Sequence, residues 1–296
     1  MKICSTSILD DFAEAFPVWI SRVIITGDRE WAYHAAVAAT GFATSRIGCP
    51  CEAGIECELG PDETPDKRGG FSVLICGEKK QMKQHVSARV SQCVLPVPTV
   101  AAYDGLPDAK DRFFIRMHYF GDNYEERCRA GGRACWKIPV MQGYYIGEER
   151  FGTVKGIAGG NFLVMGKDLP SALLAAKAGA SAIAGMQGVI MSFPGGVVAS
   201  GSKVGAKNYR FPMPASTNHA FCPSLKERIP DSKVPGDVGS VFEVVINGID
   251  EKSVKAAMKS GIEASARTGK ALYIGASNFG GKLGQYRLPL RDLFSG

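Results

Sequence analysis

Twice along this chain, apolar runs of strand character and helix-type runs behind an acidic residue follow one order: strand, helix, strand, strand, helix, strand. Each such set closes a small antiparallel sheet with its helices on one face, so the repeated order constrains the fold more than any other feature. In the first pass, residues 18–26 read as a strand. Asp28 is placed to cap a helix running to about residue 40, and residues 44–49 and 71–76 read as the second and third strands. A loop rich in Pro, Asp and Gly, 59–70, lies before the third strand. Residues 79–91 read as a helix with Met82, Val86 and Val90 on one face, and 93–103 as an extended segment broken by prolines. In the second pass, 161–165 is a strand, Asp168 caps a helix over 170–184, and 188–193 and 240–246 are strands. Asp250 then caps a helix over 251–266, and 271–276 closes the series. The expected fold is α+β: two ferredoxin-like (βαββαβ) lobes, residues 1–145 and 146–296. Extra β structure is expected over 111–150, with Gly131-Gly132 as a hairpin turn. The connection 194–239 is longer than a compact domain ordinarily leaves without structure, which marks it as functional.

Composition narrows the function classes. The net charge of +6 is scattered along the chain, which argues against nucleic acid and is only a mild attraction for anionic coenzymes. No apolar stretch is long enough to span a membrane, and residues 1–7 lack a cationic start followed by an apolar run. The nine cysteines, an odd number, read as reduced thiols of a cytoplasmic protein.

Several patterns come near to known chemistry without reaching it. Gly196-Val-Val-Ala-Ser-Gly201-Ser202-Lys203 has the length of a phosphate-binding loop, but Ser and Lys stand in the wrong order. Gly275-Ala-Ser-Asn-Phe-Gly280-Gly281-Lys282 puts Leu283 where a hydroxyl is needed. Both fit Gly-rich turns that present amides and a Lys to an anionic or carbonyl-rich ligand, or plain tight turns with surface lysines. Cys49, Cys51 and Cys57 lack the second matched pair of a zinc site and read as structural thiols, so no metal is expected. His34, His85, His118 and His219 are isolated from one another. No nucleophile elbow is present, which leaves positioning and electrostatic stabilisation as the means of catalysis.

One acid interrupts an apolar strand. In Val241-Phe242-Glu243-Val244-Val245-Ile246-Asn247, residues 242, 244 and 246 share one face and Glu243 projects from the other, among valines. If that face is covered, burial disfavours the carboxylate and the acid stays protonated near neutral pH, able to donate a hydrogen bond to a developing oxyanion. If the face is open, Glu243 is an ordinary surface glutamate or the partner of an Arg or Lys.

Segments in order over nearly the whole chain resemble the formylmethanofuran:tetrahydromethanopterin formyltransferase family. They include Asp11-Phe-Ala-Glu-Ala-Phe16, Cys51-Glu-Ala-Gly-Ile-Glu56, Gly159-Gly-Asn-Phe162, Phe193-Pro-Gly-Gly196, Ala199-Ser-Gly-Ser-Lys-Val-Gly205, Ala215-Ser-Thr-Asn218 and Gly280-Gly-Lys-Leu-Gly284. The resemblance implies an acyltransferase of methanogenic or methylotrophic one-carbon metabolism. It implies methanofuran and tetrahydromethanopterin as coenzyme substrates, no prosthetic group, and a homo-oligomer, dimeric or tetrameric. It also implies that Glu243 is the catalytic acid. Ser200, Gly201, Ser202 and Lys203 are expected to line a coenzyme cleft, with Glu52, Asn161 and Asn278 as further substrate contacts. The chain departs from the family pattern at Asp66-Lys67-Arg68-Gly69-Gly70, at Pro96-Val-Pro-Thr-Val100 and at Asn278-Phe279. Those departures, with Cys49-Pro-Cys51 and Val189-Ile-Met191 in the style of the bacterial branch, leave a second reading open. In it, the chain is a paralogue of altered or lost activity that serves as a subunit of a formyltransferase/hydrolase complex.

Overall fold

A computed structural model describes residues 1–206 and 208–295. Contacts divide the chain into two compact units. The first, here the N-lobe, is Val18–Gly156 with Gly185–Ser192. The second, the C-lobe, is Met1–Pro17, Ile157–Ala184 and Phe193–Gly296.

In the N-lobe, Gly70–Gly77 pairs antiparallel with both Glu52–Leu59 and the long strand Phe12–Thr26, whose other edge takes Ala101–Asp104. The spatial order is therefore fourth, first, third, second, as a βαββαβ unit requires. The helices Arg29–Thr40 and Lys79–Arg89 bury Ala32, Ala35, Ala36, Ala39, Met82 and Val86 against Val23, Ile25, Val73 and Ile75. The spacing of three and four on the helices meets the spacing of two on the strands, which is the pattern the sequence carries. The inserted strands Glu126–Ala130, Arg133–Val140 and Gly143–Gly147 form a meander, and the last adds parallel to Ala101–Asp104. Gly131 and Gly132 make its first turn at φ of 55° and 78°, conformations that side chains disfavour.

Three local expectations fail here. Residues 44–49 are not a strand: Ser45 O accepts from the N–H groups of Gly48 and Cys49, which turns the chain, and the strand begins at Glu52. Asp28 precedes its helix without capping it, and its own N–H donates to Thr99 Oγ1 at 3.1 Å. The segment after the second helix continues as a π-type turn, Val90–Val94, and becomes a strand only at Ala101–Asp104.

In the C-lobe, residues 157–166 of the strand Arg150–Gly166 pair antiparallel with Ser240–Gly248 on one side and Ala271–Gly275 on the other. Thr6–Ile8 adds parallel to Ala271–Gly275. Asp168 Oδ1 accepts from Ser171 N–H at 2.8 Å and Asp250 Oδ1 from Ser253 N–H at 2.7 Å. These are N-caps at the two positions the sequence assigns, opening helices Leu169–Ile183 and Glu251–Arg267. The helices touch through glycines: a Cβ on Gly179 would stand 2.4 Å from Ser265 Oγ. The strand expected over 188–193 shrinks to Val189–Ile190 and belongs to the N-lobe unit. Gly188 N–H there donates to Glu56 Oε1, and Ile190 packs where a Cβ on Gly54 would be 2.9 Å away.

Residues 194–239 hold short turns and one small hairpin, Lys203–Val204 with Ala215–Ser216. The segment folds over the sheet face opposite the C-lobe helices. Val234 and Val238 pack there with Leu163 and Met165, and Phe221 and Val241 join them.

Candidate active site

Alternation along Ser240–Gly248 sets the site. Phe242, Val244 and Ile246 are buried toward the helices, and Glu243 projects to the other face, as the sequence pattern requires. Its strand is interior to the sheet: Glu243 faces Leu163 on one neighbour, and its backbone exchanges two hydrogen bonds, of 2.9 and 2.7 Å, with Val198 on the other side. The connection 194–239 then covers the acid in part. Val198, Ser200 and Gly201 from its start and Asn218, Phe221 and Cys222 from its middle enclose, with Leu163 and Glu243, a cavity of about 160 Å³.

The Glu243 carboxyl accepts no hydrogen bond from a described residue. Burial alone pushes its pKa up to about 7, with no cation beside it to offset the lost water. The acid is therefore about half protonated at neutral pH, which is the state from which a carboxyl can donate to an oxyanion.

A second carboxylate of this lobe has the opposite surroundings. Glu14 is 2% exposed, and its two oxygens accept the backbone N–H groups of Phe279, Gly281, Leu283 and Gly284 at 2.5–2.8 Å. Burial pushes its pKa up, but these amides outweigh burial and hold it below the ordinary carboxylate value. Amides of the second Gly-rich turn thus do gather around an anion, and that anion is the chain's own. Lys282 is exposed beside it.

The expected site residues divide into groups. Ser200 and Gly201 lie in the cavity with Glu243. Ser202 and Lys203 lie just beyond, with Lys203 Nζ bracing the hairpin through Ser216 Oγ (2.8 Å) and Thr217 O (3.0 Å). Asn161 and Asn278 are committed to the protein itself. Asn161 Oδ1 accepts Ser277 N–H at 2.7 Å, and its Nδ2 donates to Ser277 O at 3.0 Å and Gly159 O at 3.1 Å. Asn278 Nδ2 donates to Asp11 Oδ1 at 2.7 Å and Phe12 O at 3.1 Å. Both asparagines hold the turn that Glu14 cradles. Glu52 lies in the N-lobe, where its Oε1 accepts Arg46 N–H at 3.1 Å.

Sequence reasoning missed Glu14, whose partners lie at least 265 residues away. It gave no role to Asn218, although that residue ends one of the segments that carry the resemblance, and it missed Phe221 and Cys222, for which the length of the connection was the only signal. Cys51 and Cys57 are buried, and burial raises each thiol to about 11, so neither offers a thiolate at neutral pH. His219 Nε2 lies 3.2 Å from Asp231 Oδ2. Among the described residues no group of three His, Cys, Asp or Glu side chains is placed to hold a metal ion. No helix among them is long and apolar enough to cross a membrane.

Comparison with known proteins identifies the family. Residues 1–140 match the family model described as formylmethanofuran-tetrahydromethanopterin formyltransferase, and residues 143–293 match that of the formyltransferase proximal lobe. The chain is 51% identical to the formylmethanofuran–tetrahydromethanopterin formyltransferase of Methanocaldococcus jannaschii, over 99% of this chain and all of that one. The formyltransferase structure from Methanosarcina barkeri superposes with a TM-score of 0.96 at 47% identity, covering 99% of this chain and 100% of that one. The structure of the formyltransferase/hydrolase complex from Methylorubrum extorquens with methylofuran gives a TM-score of 0.91 at 38% identity, covering 97% and 96%. By the same measure the chain is thus nearer the archaeal enzyme than the bacterial subunit, against the bacterial style of its two short sequence details.

Proposed function

The chain belongs to the formylmethanofuran–tetrahydromethanopterin formyltransferase family, and from that premise we propose that it moves a formyl group reversibly between formylmethanofuran and N5 of tetrahydromethanopterin, with Glu243 as the catalytic acid. The observation that carries the role of Glu243 is its unpartnered carboxyl in a covered cavity.

The chemistry follows from that state. N5 attacks the formyl carbon, a C–N bond forms, and the carbonyl π pair moves onto oxygen. Protonated Glu243 donates a hydrogen bond to that oxygen, which carries more charge in the transition state than in the substrate, so the bond strengthens as the barrier is climbed. Collapse re-forms the carbonyl and expels the methanofuran amine, which takes up the proton that N5 gives away. Ser200 and Gly201 line the cavity where the formyl group is held, and Ser202 and Lys203 shape its edge.

The enzyme acts as a cytoplasmic homo-oligomer on small-molecule coenzymes. The competing reading, a non-catalytic subunit beside hydrolase subunits, draws support from the bacterial relative found in a formyltransferase/hydrolase complex. An assay of the purified chain with both coenzymes separates the two. Formyl transfer by the isolated protein, lost in Glu243→Gln with coenzyme affinity retained, is the expected result. No transfer without copurified hydrolase subunits would favour the other reading, and wild-type turnover in Glu243→Gln would remove Glu243 from the mechanism.

A further inference from the structure

Glu243 can serve only one end of a formamide. The donor's formyl oxygen needs a hydrogen-bond donor, which the protonated acid supplies. The formamide N–H, once taken out of water, needs an acceptor, and leaving it without one is costly. We infer that Asn218 is that acceptor: its carboxamide oxygen takes the formamide N–H of the bound donor, and Ser277 and Asn161 hold the side chain in position to do so. The inference rests on the formyl-transfer reading and adds a second substrate contact to it.

Four observations meet at Asn218. It lines the same cavity of about 160 Å³ as Glu243, so both side chains reach one small ligand group. It precedes the short helical turn His219–Phe221, a place where Asn ordinarily folds its side-chain oxygen back onto backbone N–H groups, yet it makes no such cap. Its Nδ2 donates instead to Ser277 Oγ at 3.3 Å, and its Oδ1 accepts nothing from a described residue. Ser277 is itself fixed. It is 8% exposed, and both its backbone N–H and its C=O are gripped by Asn161, at 2.7 and 3.0 Å.

The mount is hydrogen-bonded at each step. Asn161 sits on the strand next to Ser240–Gly248, facing Val245 there, and the turn following Ser277 is cradled by Glu14. A side chain held by its amide nitrogen to such a support keeps its oxygen aimed without losing rotamer freedom on binding. Gly201 completes the wall. Its φ of +57° suits glycine, and a Cβ there would stand 3.6 Å from Asn218 Cβ, against the side chain that must keep its orientation. Among the described residues lining the cavity, Cys222 is the only titratable group besides Glu243. A charge introduced at position 218 would therefore act on Glu243 without a competing ionic partner.

The test is steady-state kinetics of the full chain with formylmethanofuran and tetrahydromethanopterin across pH. Asn218→Ala is expected to lower kcat/KM for the formyl donor about 10- to 100-fold, as the loss of one buried hydrogen bond to substrate predicts. Asn218→Asp keeps an acceptor but places a second carboxylate in the cavity. The alkaline limb of the rate profile should then move up by roughly half a unit to one unit, because like charge raises the pKa of Glu243. Ser277→Ala should cost about 3- to 10-fold in kcat/KM with that limb unmoved, and Ser277→Thr should restore the rate. Should Asn218→Ala fold poorly, the Asp and Ser277 variants still decide. Wild-type kcat and KM in Asn218→Ala or in Ser277→Ala, or an unmoved limb in Asn218→Asp, would overturn the inference. A wild-type chain without formyl transfer would overturn the functional reading as well. An active wild type with an inactive Glu243→Gln and an unaffected Asn218→Ala would overturn this inference alone.

Discussion

Glu14 and Glu243 are the same residue in the same lobe, and the structure drives their acidities apart. Glu14 is enclosed by four backbone N–H groups and remains an anion. Glu243 is half-buried among mostly apolar and small side chains, with Asn218 lining the same cavity, and its pKa is pushed up to about 7. Loss of water works against the charge in both; the four amides facing Glu14, with none facing Glu243, set the opposite signs. One acid is a fastener that organises a turn, and the other has no hydrogen-bond partner among the described residues. The N-lobe partners its buried acids: Glu148 accepts from Asp104 N–H at 2.6 Å and Arg133 Nη1 at 3.0 Å, though burial still raises its pKa. The lobe's central strand Gly70–Gly77 carries no acid, and the buried Glu56 on the neighbouring strand is taken by Arg22 (2.5 and 2.7 Å) and Ser72 (2.5 Å).

The comparison can be broken most directly at Glu243. Glu243→Gln should cut kcat by about 10²- to 10³-fold, the range for loss of an oxyanion donor, while coenzyme dissociation constants measured by calorimetry stay near wild type. Glu14→Gln should leave the chemistry but loosen the turn. Its charged acceptor is replaced by a neutral one, so a loss of about 2–4 kcal/mol in denaturant stability is expected, with faster hydrogen exchange at Gly281 to Gly284.

The two acids also predict opposite pH effects on stability. The pKa of Glu14 is depressed, so its contribution is complete above the ordinary carboxylate value and is lost as pH falls through its own lower value. The pKa of Glu243 is raised. Between the ordinary value and about 7 the unfolded chain gives up its proton while the folded chain keeps it, so stability falls across that window and the penalty is full above it. Melts of Glu243→Gln should accordingly match wild type near pH 4 and exceed it at pH 8, by at most roughly 3 kcal/mol. Equal melts at both values would show that Glu243 is not buried as a neutral acid.

Smaller effects sharpen the same contrast. Phe221→Ala opens the cover over Glu243, and water should then draw its pKa back toward the ordinary value, moving the alkaline limb of activity down by about one unit. Lys67 serves as a control remote in sequence from both acids. It sits at φ of 60°, a left-handed conformation that glycine adopts without strain. Lys67→Gly should stabilise by about 0.5–1 kcal/mol in a thermal melt and leave both pH limbs in place.

What the sequence revealed follows how far each residue's partners lie along the chain. The caps at Asp168 and Asp250 act on N–H groups three residues on, and both were legible. The alternation through 241–247 needed no partner to be read, and it placed Glu243 on the right face. The strand Glu52–Leu59 was not legible, because Glu52, Gly54, Glu56 and Glu58 are poor strand formers and the ladder with Gly70–Gly77 makes the strand. Asp28 looked like a cap by type, yet its N–H is bonded to Thr99, 71 residues away. Asn161 and Asn278 were expected as substrate contacts because a carboxamide offers both a donor and an acceptor. The bonds they make within the protein, Asn161 to Ser277 and Asn278 to Asp11 and Phe12, join residues 116 to 267 positions apart and could not be read from the sequence. The cover over Glu243 was visible only as a long connection, and whether the acid was dry could not be read until that connection was folded.

The small hairpin inside that connection divides it by tolerance. Its strands, Lys203–Val204 and Ala215–Ser216, rise between Gly201 and Asn218, which both border the cavity, and cross-braces from Lys203 and Ser216 tie its base. Beyond that base, Tyr209 and Phe211 stack on each other in the open. Residues may thus be added or removed at the tip with the cavity's bordering residues held in place by the tie below. A single insertion below it, at 198–201 or 217–222, would shift the walls that the connection gives the cavity.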